Sequence, residues 1–76
     1  MSRFFMNVRE RGELIEDMDG LLFPSLNEAR EHAVKAAREL MSERIFLGKK
    51  LDDSQFEITN ELRQTVLVLP FQDTLE

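Results

Sequence analysis

Phe4, Met6 and Val8 alternate with Phe5, Asn7 and Arg9, a period of two that predicts a strand with one apolar face and one mixed face. Glu10-Arg11-Gly12-Glu13 reads as a polar turn, and Leu14-Ile15-Glu16 as a short second strand. Asp17-Met18-Asp19-Gly20 follows as another turn, with Gly20 supplying a positive φ. Leu21-Leu22-Phe23 then leads into a helix.

The period changes at Pro24-Ser25-Leu26-Asn27-Glu28. Ser25 is placed to accept from the Glu28 amide while the Glu28 carboxylate reaches back, the reciprocal box that satisfies two orphan helix donors. At about 100° per residue, Leu26, Ala29, Ala33, Ala36, Ala37, Leu40 and Leu47 form one arc, extended by Val34, Met41 and Ile45. Four alanines in its centre let the helix backbone approach a sheet closely. The opposite side carries Glu28, Glu31, His32, Lys35, Glu39, Ser42 and Glu43. Arg44 falls within the apolar arc, where its stem can lie along the core and carry the charge to water. Gly48 followed by Lys49 and Lys50 reads as the stop, a left-handed cap with cations beside the negative end of the helix dipole.

Beyond the linker Leu51-Asp52-Asp53-Ser54, Phe56 and Ile58 alternate with Glu57 and Thr59 as a third strand. Asn60-Glu61-Leu62-Arg63-Gln64 turns the chain, and Thr65 to Phe71 forms a fourth strand, with Pro70 at an edge or strand end. Leu67, Leu69 and Phe71 are expected to share the face of Phe56 and Ile58, leaving Val66 and Val68 on the other. The expected fold is α+β, ββαββ, a four-stranded antiparallel sheet with one long helix on one face, in a single domain over residues 1–76.

With 76 residues, 42% of them hydrophobic, the core is small, and self-association is a natural source of further burial. There is no cysteine, which removes disulfides, thiolate metal sites and a cysteine nucleophile. A net charge of −5 works against nucleic-acid backbones. The longest apolar run, Val66 to Phe71, is far below the roughly 18–20 residues of a membrane span. The N-terminal strand pattern does not resemble a signal peptide, so a cytoplasmic location is expected.

Candidate chemistry is sparse. The turn Asp17-Met18-Asp19-Gly20 contains a fragment of a calcium loop, but with Gly20 in sixth place the first and twelfth ligands fall on Ile15 and Leu26, which offer no carboxylate. His32 is the sole histidine and lies on the polar helix side. Ser25 belongs to the cap, Ser42 to exposed helix and Ser54 to a linker, and the three glycines stand apart. An enzyme would require Asp17, Asp19 and His32 to converge on a pocket. No catalytic, cofactor-binding or metal-binding residue is therefore assigned, and no cofactor. The sheet face away from the helix, carrying Phe5, Asn7, Arg9, Glu57, Thr59, Val66 and Val68, is either solvated or an interface. Phe5, Asn7, Arg9, Val66 and Val68 are the candidate interface residues.

The segments Arg3-Phe4-Phe5, Val8-Arg9, Asp17 with Gly20, Leu26, Ala29-Arg30, Ala33, Ala36-Ala37-Arg38-Glu39-Leu40 and Pro70-Phe71-Gln72-Asp73 resemble a family of short alphaproteobacterial proteins known only as a domain of unknown function. The resemblance covers nearly the whole chain and implies the ββαββ layout without an activity, ligand or catalytic residue. Family members often carry an aromatic residue at position 4, a histidine at position 7 and a glycine in the last hairpin turn. Here Phe4 keeps the first, while Asn7 and the turn Asn60 to Gln64 depart from the others. Leu26-Asn27-Glu28-Ala29 is also similar to a helix start in antitoxins that cover a small double-stranded-RNA-binding toxin, although such proteins usually add a DNA-binding segment. The expected function is that of a non-catalytic homodimer or protein-interaction module, with an antitoxin-like partner as the alternative and an enzyme third.

Overall fold

The sheet is assembled on β1 (Ser2–Glu10), which pairs antiparallel with three other strands. The computed structural model describes residues 1–48 and 53–75. In chain order these form β1, β2 (Glu13–Ile15), β3 (Leu21–Phe23), α1 (Leu26–Phe46), β4 (Gln55–Thr59), β5 (Thr65–Pro70) and a 3₁₀ turn (Phe71–Thr74). The α+β class and ββαββ order hold, with one addition. Leu21–Phe23, expected only to lead into the helix, pairs with Ser2–Phe4, so the sheet has five strands.

Alternation explains the arrangement. On one edge β1 meets β4, Met6 opposite Ile58 and Val8 opposite Phe56. The Arg3 amide points toward this side and donates to Glu61, while the Met6 amide points away and donates to Asp17. Because Asp17 lies in the link between β2 and β3, both short strands occupy the same edge of β1, one after the other. The β1–β2 hairpin turns in two residues, Arg11 and Gly12, at φ 50° and 81°. Both signs positive is the type I′ geometry that matches strand twist.

The core lies between sheet and helix. Ala29, Ala33, Ala37 and Met41, spaced by four, form the buried stripe of α1 against Phe4, Phe56, Ile58, Leu69 and Phe71. Alanine leaves no side chain to hold the backbones apart, so the helix sits close over the sheet. Ser25 caps the helix, its Oγ accepting from the Glu28 amide at 3.4 Å. At the other end Ile45 and Leu47, expected within the apolar arc, are exposed. Gly48 at φ 74° follows the helix, and its amide donates to the Ile45 carbonyl. The expected lysine contribution to the helix stop, at Lys49 and Lys50, and the start of the linker, Leu51 and Asp52, lie outside the described residues.

Three expectations are corrected. Arg44 does not run out to water: its guanidinium lies 5.6 Å from the centre of the Phe71 ring, donates to Ser54 Oγ at 3.0 Å and pairs with Glu10. The last strand ends at Pro70, not Phe71. Phe71 opens the 3₁₀ turn, and its ring, 4.9 Å from Phe56, is buried all the same. Third, β5 carries a bulge opposite Ile58 and Thr59, where Val66 is the extra residue. The bulge breaks strict alternation, and Val66 packs against the core cluster with Leu67 instead of facing away from the helix. Among the described residues no helix is long and apolar enough to cross a membrane.

Gly20 is the tightest point. It adopts φ 66°, and a Cβ there would lie 2.9 Å from the Phe4 carbonyl oxygen, 2.9 Å from Arg3 Cγ and 3.0 Å from Phe5 Cδ1. Backbone strain and overlap act together, so Gly20→Ala is expected to destabilise by about 2–4 kcal/mol. Gly12→Ala, with open space around it, is expected to lose only the strain, about 1–2 kcal/mol. Urea denaturation of the two variants checks the difference.

Candidate functional site on the open sheet face

The face away from α1 is fixed by the pairing register. Asn7 lies opposite Glu57, Phe5 opposite Thr59, Arg9 opposite Gln55 and Leu14, Arg3 opposite Leu22, and Val68 opposite Glu57. Residues directly opposite share a face, so the short strands add Leu14 and Leu22 to those expected from β1, β4 and β5. A hollow of about 380 Å³ opens in this face. Phe5, Asn7, Glu57 and Thr59 line its base. Leu14, Glu16, Asp17 and Met18 approach from β2 and the link to β3, and Glu61, Arg63 and Thr65 from the β4–β5 hairpin.

The link is held by two side chains. Asp17 Oδ2 accepts from the Met6 amide at 3.1 Å, and Asn7 Oδ1 accepts from the Asp17 amide at 3.0 Å. Asp17 Oδ1 accepts in addition from the amides of Asp19 at 3.2 Å and Gly20 at 3.1 Å, closing the turn. On its other side Asn7 Nδ2 donates to the Glu57 carbonyl at 2.9 Å and to Thr59 Oγ1 at 3.3 Å. Asn7 therefore ties β4 to the link across β1.

Charge around the hollow is mostly engaged. Arg9 Nε and Nη2 fork onto the Glu57 carboxylate at 2.9 and 3.2 Å, and Gln55 Nε2 donates to it at 3.0 Å. The Arg9 bond, with the Gln55 bond behind it, holds the Glu57 carboxyl below the usual range, and Glu57 raises the Arg9 guanidinium in turn. For Asp17, burial pushes the carboxyl up, but bonds from the Gly20, Met6 and Asp19 amides outweigh it and leave the group lowered. Glu61 accepts from the Arg3 amide at 3.0 Å.

The five residues expected to form an interface occupy different settings. Val68 is 47% exposed. Phe5 is half-buried beside Gly20, and Arg9 is bound to Glu57. Asn7, expected at the accessible surface, is only 6% exposed, because the link folds over it. Val66 faces the core. Conversely, Leu14, Met18 and Leu22 are exposed on or beside this face, and sequence reading assigned them no role. Leu14 and Leu22 belong to three-residue segments too short to show alternation, and Met18 to the turn between them.

The acid–base trio does not assemble. Asp17 and Asp19 sit in the link, whereas His32 lies on exposed α1 with its ring 5.3 Å from Phe23. Among the described residues no three carboxylate or histidine groups are placed to hold a metal ion.

Asp17→Asn would set an amide against the Met6 donor and is expected to destabilise by about 1–3 kcal/mol. Because the folded-state pKa of Asp17 is lowered, its contribution is complete above the ordinary aspartate value near 4 and is lost as pH falls through the folded value below that. The variant is therefore expected to lose less stability than the parent as pH falls below about 4, measured by urea denaturation at stepped pH.

Comparison with known proteins adds one match. A family model described as a domain of unknown function, DUF6894, matches residues 3–72. No curated protein and no solved structure matches the chain. The matched segment contains α1, β2 to β5 and all but the first residue of β1. It thus includes every residue lining the hollow, and the protein belongs to this DUF6894 family of domains of unknown function.

Proposed function

We propose that the protein is a non-catalytic association module whose first partner is a second copy of itself. The observation that carries this reading is the apolar surface on or beside the open sheet face, where Leu14, Met18, Leu22 and Val68 are all exposed. The fold has little else to draw on. Among the described residues three of the nine buried hydrophobic residues are alanines, and covering any of the exposed apolar side chains would stabilise the fold by roughly 25 cal/mol per Å² of apolar surface covered.

Light scattering of the purified chain over a dilution series tests this, alongside nuclease-treated affinity purification from the native host. A dimer that dissociates on dilution is the expected result. A monomer at every concentration that co-purifies with a stoichiometric second protein would overturn self-association and favour an adaptor or antitoxin-like role. A monomer recovered alone would overturn association altogether.

A further inference from the structure

We infer that two copies join edge to edge through β5, forming one continuous antiparallel sheet with Val68 at the two-fold axis. The inference rests on the self-association proposed above and narrows its seam to Val68, the member of the exposed apolar set that lies on β5, leaving Leu14, Met18 and Leu22 on or beside the far edge outside it. In a two-fold dimer each patch meets itself, so the contact must be self-complementary. The chain carries a net charge of −5, and the hollow on the open face is lined by Glu16, Asp17, Glu57 and Glu61 against Arg63. Arg3 and Arg9 add positive charge to the same face, so pressing it against its own image would bury a mixed set of charges at a desolvation cost. The outer side of α1 is charged as well. β5, Thr65–Pro70, contains no charged residue.

The backbone of β5 fits the same conclusion. The Phe71 amide donates to the Ser54 carbonyl at 3.0 Å, which fixes the phase of the β4–β5 ladder. By alternation the amides of Leu69 and Leu67 also point toward β4, while the amide and carbonyl of Val68 point to the outer edge. β4 is the sole strand that pairs with β5 among the described residues. Pro70, also in an outward position, has no amide to leave unpaired. Edge strands are commonly guarded by lysine, an inward charge, proline or a bulge; β5 has no charge, and its bulge and proline lie at the two ends of the run, leaving Val68 open between them. Its bulge at Val66 and Pro70 bound a short regular run centred on Val68. Antiparallel pairing there lets Val68 of each copy donate its amide to the other's Val68 carbonyl, and brings Leu67 of one copy beside Leu69 of the other.

Two variants test the geometry. Val68→Pro removes the outward amide without removing a β4–β5 ladder bond, and Val68→Lys sets two cations against each other at the axis. Leu14→Asp, on the opposite edge of the sheet, distinguishes this seam from packing through the rest of the exposed apolar set. The expected result is a dimer for the parent and Leu14→Asp, and a monomer with unchanged far-ultraviolet circular dichroism for both Val68 variants, their dissociation constants rising at least tenfold. If Val68→Pro does not fold, Val68→Lys decides, since the side chain is exposed. Folded Val68→Lys that stays dimeric overturns edge pairing. If Leu14→Asp alone dissociates the dimer, self-association stands and edge pairing falls. A monomeric parent overturns both.

Discussion

Two bonds tie the link to β1, the Met6 amide to Asp17 Oδ2 and the Asp17 amide to Asn7 Oδ1, and the sheet depends on this pair. β1 carries two short strands on one edge, and between them the Met6 amide has no strand partner. Asp17 supplies the missing acceptor, while Asn7 accepts from the Asp17 backbone and reaches across to Glu57 and Thr59 on β4. A buried donor without a partner loses its hydration and gains nothing, a penalty comparable to a good part of a small domain's stability. The same carboxylate closes the turn at Gly20, whose missing side chain lets the link pass against β1. Strand pairing, turn and hollow are thus fixed by one local network.

The helix side solves a different problem. With alanine at three of four positions in its buried stripe, α1 contributes close approach more than bulk, and Phe4, Phe56, Ile58, Leu69 and Phe71 fill the space. The far end is closed by the 3₁₀ turn, Phe71–Thr74. Phe71 turns under α1, Arg44 lies over its ring, and Arg38 Nε donates to the Thr74 carbonyl at 2.7 Å. Thr74 Oγ1 donates to the Phe71 carbonyl at 2.6 Å and so keeps the 3₁₀ turn compact. These contacts give a thin core a polar closure where a larger domain would place more apolar side chains.

A surface engaged in this way has consequences for function. Asp17, Glu57 and Glu61 around the hollow hold backbone amides or Arg9, which makes them structural struts and leaves the apolar side chains beside them as the unsatisfied surface. The uncharged edge of β5 is the complementary feature, since it can face its own image without repulsion. Family membership adds the domain's extent and leaves its role to be argued from this surface chemistry.

The periodic elements were legible along the chain: alternation in β1 and β4, the Ser25 cap, the alanine stripe, and Gly20 as a positive-φ turn. Each is governed by residues within a few positions of one another. Tertiary structure decided the rest. Asn7 reads as a surface residue until Glu57, fifty positions away, accepts from it. Val66 reads as outward until a bulge shifts its phase, and Arg44 reads as solvated until Phe71, Ser54 and Glu10 surround it. Leu21–Phe23 becomes a strand only because β1 offers a free edge. Local propensity cannot encode partners that chain folding alone brings together, and those partners settle which polar groups are buried and which apolar groups are left for another molecule.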